Sequence, residues 1–271
     1  MGSVPAPRLE EEVGCIALGA SVRGIVHLLR DLPNQDAVWW SRPTMPGGPV
    51  AVAVADGHGS PHHPRSGEGA QLAVAVAVAL IEDWLRSAPA DDSWQSLPAA
   101  IQGAWLEAVA DHLAEFPIDC EMLAPADGGA WLYGTTLLAA GSFHGRTLCL
   151  QIGDGDILAL RPDGTVFWPL PESPGCFDNV TDSLCQDDAA EHFRVALIEE
   201  GVVLLLLATD GYGNSYEDDE AFEQIAPDYL ALLKRVGAQR VAEGLPGWLA
   251  EITRIGSGDD ITLGLLWTAP G

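Results

Sequence analysis

Apolar residues in this chain fall into short runs that either alternate with polar ones at a period of two or stay apolar throughout. These are the patterns of half-buried and fully buried strands. Such runs cover Cys15 to Ala20, Ala37 to Ser41, Val50 to Ala55, Thr135 to Gly141, Thr147 to Ile152, Ile157 to Arg161, Thr165 to Trp168, Arg194 to Ile198, Val202 to Ala208 and Ile261 to Trp267. Pro162-Asp163-Gly164 separates two of them and predicts a hairpin corner. Longer stretches predict helices over about Gly67 to Arg86, Ser96 to Phe116, Asp228 to Val236 and Ala238 to Arg254. The first contains Ala-Val-Ala-Val-Ala-Val, which alternates like a strand, but its length and its Glu82 to Arg86 spacing favour a buried helix. Two helices after the third strand, a block of β, then helices before a last strand predict strand layers covered by helices. A chain of 271 residues suits one large domain of this kind, over 1–271 with 1–12 as a flexible lead segment.

The ends of these apolar runs carry the chemistry. They read Asn34-Gln35-Asp36-Ala37, Val54-Ala55-Asp56-Gly57-His58-Gly59, Ile152-Gly153-Asp154-Gly155-Asp156, Leu207-Ala208-Thr209-Asp210-Gly211 and Gly258-Asp259-Asp260-Ile261-Thr262. An aspartate where a chain leaves a sheet can point its carboxylate into a shared cleft, and several together make a site for a hard cation. Glycine after Asp56 lets the backbone turn tightly and brings a carbonyl near the same ion. Two such cations about 3.5–4 Å apart activate a shared water for in-line attack on phosphorus, which points to phosphoester hydrolysis. A single Asp-Gly after a strand is most often only a turn, and Asp163-Gly164 is read that way. His62 and His63 are read as loop residues. It is the ordered set that escapes this duller reading.

The order and wording of these blocks, with Gly134-Thr135-Thr136 between the second and third, resemble the protein phosphatase 2C family of metal-dependent serine/threonine phosphatases, from about Gly19 to Leu266. The resemblance implies an α+β fold, an α-β-β-α sandwich of two central antiparallel sheets flanked by helices. It implies two Mn²⁺ or Mg²⁺ ions: Asp56 bridging both, the Gly57 carbonyl on one, Asp210 and Asp259 on the other, and Asp36 ordering the water shell. A third ion would use Asp154 with Asp210. His58 matches a general acid toward the leaving alkoxide, and Arg30, with Arg23 behind it, is the candidate for the substrate phosphate. The family's Gly-Asp-Ser-Arg block is Gly153-Asp154-Gly155-Asp156 here, and the stretch from Asp154 to Asp210 is short, with Asn179-Val180-Thr181-Asp182-Ser183-Leu184 where an Asp-His-Ser element is usual. An active phosphatase is therefore weighed against a regulatory or binding module that kept the fold and lost turnover.

Charge narrows the partners. With 13 Lys and Arg against 39 Asp and Glu the formal net charge is −26, a field that repels nucleic-acid backbones and anionic membranes. The same field suits a phosphoprotein with basic flanks, and the family implies a serine/threonine kinase or its targets. The N-terminus lacks a signal-peptide pattern and the longest apolar run, Leu72 to Ile81, is too short to cross a bilayer, so we expect a cytoplasmic, monomeric protein. Its five scattered cysteines, with no Cys-x-x-Cys pair, read as reduced and mostly buried.

Overall fold

The structure, a computed structural model, describes residues 14–41, 47–87, 93–118, 129–170, 181–199 and 201–269. The lead segment 1–12, Cys120, Cys176, Asn179 and Val180 lie outside the described residues. In chain order the elements are β1 (Gly14–Val22), α1 (Ile25–Arg30), β2 (Asp36–Trp40), β3 (Val50–Asp56), α2 (Ser66–Ser87), α3 (Leu97–Glu115), β4 (Leu137–Phe143), β5 (Arg146–Ile152), β6 (Asp156–Leu160) and β7 (Val166–Phe167). They continue with α4 (Ala189–His192), β8 (Arg194–Ile198), β9 (Leu204–Ala208), α5 (Asp210–Gly213), α6 (Asp219–Glu223), α7 (Ile225–Val236), α8 (Ala238–Ile255) and β10 (Ile261–Ala269). Short 3₁₀ turns cover Ser93–Ser96 and Ala130–Tyr133.

The strands form two five-stranded sheets, ordered β1-β10-β9-β6-β7 and β2-β3-β4-β5-β8, with every pairing antiparallel. Strand β3 shows how its sequence builds the layers. Val50, Val52 and Val54 face the sheet that holds β6 and β9 and join Leu138, Ile157 and Leu205 in the inter-sheet core. Ala51, Ala53 and Ala55 face the other way, where their small side chains let α2 lie close. The alternating stretch in α2 is helical after all: Ala70, Ala73, Val74, Ala77, Val78 and Ile81 are buried at three-and-four spacing. Trp105 of α3 donates its indole N–H to the Gly69 carbonyl at 3.0 Å and ties the helices together. On the opposite face α7 and α8 bury Tyr229, Leu233, Val241, Leu245 and Leu249 against β1, β9 and β10. The result is the α-β-β-α sandwich.

The Pro162-Asp163-Gly164 corner is a hairpin turn, with Gly164 at φ +91° and the Thr165 N–H on Asp163. Boundaries differ from expectation at one telling place. Gly134-Thr135-Thr136 precedes β4 as a separate bridge to Gly57 instead of continuing the strand. Helices α1, α4, α5 and α6, each six residues or fewer, are too short for a periodic signal. Cys149 and Cys185 are buried and Cys15 is partly buried; burial pushes the Cys149 thiol up to about 12. Among the described residues no helix is long and apolar enough to cross a membrane.

Candidate active site

Five chain segments that leave or enter strands meet at one end of the sandwich. Antiparallel register sets Asp36, the first residue of β2, opposite Asp56, the last of β3. Thr136 then locks the Asp56 backbone: its hydroxyl receives the Asp56 N–H at 3.0 Å and its own N–H reaches the Asp56 carbonyl at 2.9 Å. Position 57 must be glycine, because a Cβ there would lie 2.6 Å from the Ser66 carbonyl oxygen and 2.7 Å from that of Gln35. Gly153 and Gly155, at φ +86° and +92°, turn β5 into β6 and present Asp154. Asp210 opens α5 directly after β9, and at Gly211 a Cβ would meet the Asp260 carbonyl at 2.1 Å, so α5 rests on the Asp259-Asp260 turn.

These ends enclose a cleft of about 190 Å³ lined by Asp56, Gly57, His58, Asp154, Asp210 and Asp259, together with His27, Gln35, Gly59, Thr136, Thr181 and Asp260. Asp36 lies behind it, buried, accepting from the Thr209 hydroxyl at 2.8 Å. A larger groove of about 1170 Å³ runs along edge strand β2, but its walls are mostly apolar and it lacks the clustered carboxylates.

The carboxylates disturb one another. Burial, offset in part by hydrogen bonds from Thr209 and Thr262, raises Asp36 to about 8. Burial and then the charges of Asp36 and Asp210 hold Asp56 well above the usual carboxylate range, and burial also raises Asp210. Among the described residues Asp210 Oδ1 is buried without a donor, while its Oδ2 takes the Asn214 amide at 3.2 Å. Both Asp56 and Asp210 therefore hold a proton more readily than a solvated carboxyl does. Crowded, partly orphaned carboxylates supply the oxygen donors that fit hard cations, which would replace those protons. Among the described residues no three His, Cys, Asp or Glu side chains enclose an ion by themselves. A cation here would take carbonyl and water oxygens as well, as an open, water-activating site requires.

His58 is largely buried, and desolvation with the neighbouring His63 lowers it to about 4, so at neutral pH it is an uncharged imidazole that can donate a hydrogen bond. His63, read from sequence as a loop residue, is buried beneath it, with ring centroids 5.1 Å apart and Nδ1 on the Trp131 carbonyl. Gly134 makes room for both rings; a Cβ there would come within 2.6 Å of His63 and 2.8 Å of His58. Asp154 accepts from Thr181 at 3.0 Å, so the unusual segment that follows residue 180 closes one wall.

Arg30 is not brought to the cleft: it is exposed at the end of α1. Arg23 turns away to the His27 carbonyl at 3.2 Å and to Asp31 at 3.6 Å. Among the described residues that line the cleft none is Arg or Lys. The basic side chain that does enter from α1 is His27, 2.9 Å from Asp260 and 3.5 Å from Asp259. Sequence reasoning missed His27 and Asp260. Short helix α1 hid the first, and the adjacent Asp259 drew attention from the second.

A match to the protein phosphatase 2C family spans residues 23–250 and takes in the segments that carry Asp36, Asp56, Asp154 and Asp210. The chain belongs to the protein phosphatase 2C family. Serine/threonine-protein phosphatase 3 of Escherichia coli (strain K12) is 29% identical over 206 residues, 69% of this chain and 74% of that one. The catalytic domain of the serine/threonine protein phosphatase PstP, in complex with two manganese ions, superposes with a TM-score of 0.61 at 21% identity, covering 95% of this chain and all of that one. PppA, described as a key regulatory component of T6SS in Pseudomonas aeruginosa, gives 0.55 at 19% identity over 94% and 98% of the two chains. At these identities the two structures speak for the shared phosphatase 2C fold.

Proposed function

We propose that this phosphatase 2C member hydrolyses phosphoserine and phosphothreonine in proteins, using two Mn²⁺ or Mg²⁺ ions and, with Asp154 and Asp210, a third. The observation that carries this reading is the convergence of carboxylates from separate strand ends on one cleft, with Asp210 Oδ1 buried and, among the described residues, lacking a donor. When bound, the cations supply a nucleophilic water and neutralise phosphate charge. Asp56 and the Gly57 carbonyl would hold one side of the pair, Asp210 and Asp259 the other. Asp36, fixed by Thr209, sits behind Asp56 and orients what the cleft holds. With neither Arg30 nor Arg23 in the cleft, the substrate phosphate would be held mainly through the cations. The substrate would be a phosphoprotein with basic flanks, and a serine/threonine kinase or its targets are the candidates, met in the cytoplasm by a monomeric, one-domain enzyme.

Hydrolysis of p-nitrophenyl phosphate tests this directly. We expect turnover with Mn²⁺ and none after chelation. The Gly153-Asp154-Gly155-Asp156 turn and the lack of a described Arg or Lys in the cleft motivate a second reading, a binding module without turnover. Mn²⁺ binding without hydrolysis would decide for it.

His58 is neutral at physiological pH, so its role reduces to a hydrogen bond offered to the leaving oxygen. A serine alkoxide needs that bond more than a phenolate does. One such bond amounts to about 1 kcal/mol, so His58→Ala should slow phosphopeptide hydrolysis roughly fivefold more than p-nitrophenyl phosphate hydrolysis. The ratio should stay flat between pH 6 and 8, because a group at about 4 does not titrate there. Equal slowing of both substrates would remove His58 from the leaving-group side.

A further inference from the structure

We propose, resting on the metal-dependent reading above, that His27 Nε2 is a nitrogen donor to the cation held at Asp259, and that it biases this site toward Mn²⁺ over Mg²⁺. The ring is oriented from behind. Its Nδ1 lies 2.9 Å from Asp260 Oδ2 and 3.1 Å from the Pro33 carbonyl oxygen. A carboxylate and a carbonyl only accept, so Nδ1 carries the hydrogen and the lone pair of the neutral ring is on Nε2. That atom is 3.5 Å from Asp259 Oδ1, in the wall of the cleft. The distance is long for a strong hydrogen bond. It is close to the roughly 3 Å that separates two donors each about 2.1 Å from one ion at right angles.

Two adjacent aspartates divide the work. Asp260 is buried and saturated: Oδ1 takes the Gly24 N–H at 2.6 Å, and Oδ2 takes the Gln35 N–H at 2.7 Å in addition to His27. It is not available to an ion and serves instead as the carboxylate behind an imidazole, an arrangement that fixes tautomer and raises ligand basicity. Asp259 is half exposed, and among the described residues its Oδ1 accepts only the neighbouring Asp260 N–H. The backbone makes the pairing rigid. The Val26 N–H reaches the Gly258 carbonyl at 2.9 Å, and at Gly24 a Cβ would stand 2.3 Å from the Asp259 carbonyl carbon. Carboxylate and water oxygens suit Mg²⁺ and Mn²⁺ alike, whereas imidazole suits transition ions, so one nitrogen in an oxygen set shifts the preference.

Electron spin echo envelope modulation of the full-length protein loaded with Mn²⁺ tests the assignment without any appeal to turnover. We expect ¹⁴N modulation in the wild type, its loss in His27→Gln and His27→Ala, and its survival in His58→Ala, which removes the other imidazole at the cleft. Calorimetry should show His27→Gln weakening Mn²⁺ by at least about tenfold, the lower end of what losing even an orienting partner costs, with Mg²⁺ changed less than about twofold. Mn²⁺ bound with no nitrogen modulation, or modulation that persists in both His27 variants, overturns the proposal and leaves the phosphatase reading intact. No Mn²⁺ binding by the wild type overturns both. If His27→Ala fails to fold, His27→Gln and His58→Ala, measured against the wild type, still decide.

Discussion

Asp56→Asn should abolish Mn²⁺-dependent hydrolysis while leaving the protein folded. The backbone at this position is held by Thr136 through both its hydroxyl and its N–H, and neither bond involves the Asp56 carboxyl. An asparagine therefore keeps the β3 terminus and the Gly57 turn. What it loses is the negative charge facing Asp210 at the centre of the carboxylate set. Cation binding supplies several kcal/mol of transition-state stabilisation, which at 1.36 kcal/mol per factor of ten corresponds to a loss of about 10³-fold or more. Without metal, the neutral amide removes a carboxyl whose ionisation is opposed by burial and by the neighbouring Asp36 and Asp210, so the thermal midpoint should be unchanged or higher. Near wild-type turnover at saturating Mn²⁺, with normal unfolding, would remove Asp56 from the centre of the site.

The metal-free protein should lose stability as pH rises from about 4 to about 8, and Mn²⁺ should restore it. Asp36 stays protonated in the native state up to about pH 8, whereas in the unfolded chain it ionises near its ordinary value of 3.8. Between those values the native state binds the extra proton, so unfolding becomes easier with each step up in pH, and the loss levels off above pH 8. The raised Asp56 and Asp210 act in the same direction. A cation that binds only the native state displaces these protons, and at a hundredfold excess over its Kd adds about 2.7 kcal/mol. That is roughly 5–10 °C in Tm for a chain of this size. The rise on adding Mn²⁺ should therefore be larger at pH 8 than at pH 5, where protons compete. A midpoint that ignores both EDTA and pH would mean the carboxylates are not a cation site.

Local sequence was sufficient for whatever depends on neighbours along the chain. Each expected strand run finds a strand because period-two patterning ties a residue's face to its position. Alternation of Val and Ala in β3 even encoded which face meets the other sheet and which admits a helix. Asp56, Asp154, Asp210 and Asp259 were legible because each ends an apolar run beside a glycine that frees the turn, and all four line one cleft. Asp36 was legible too, yet its place behind the cleft, buried on Thr209, depends on how β2 meets the sheet that holds β9.

Tertiary structure alone decided the rest. Neither Arg30 nor Arg23 lines the cleft: Arg30 ends α1 in solvent, Arg23 before the helix turns to Asp31, and α1 presents His27 instead. Asp259 and Asp260 are neighbours of the same type and nothing in the sequence separates them. Only packing of α1 and the Gln35 loop against β10 makes one an open carboxylate and the other a buried, fully bonded anchor. His58 and His63 likewise meet over Gly134, some seventy residues on, and burial, with His63 adding to it, holds His58 neutral. Charge state, burial and hydrogen-bond partners are set by atoms remote in sequence, since desolvation and Coulomb terms depend on distance through space and not along the chain.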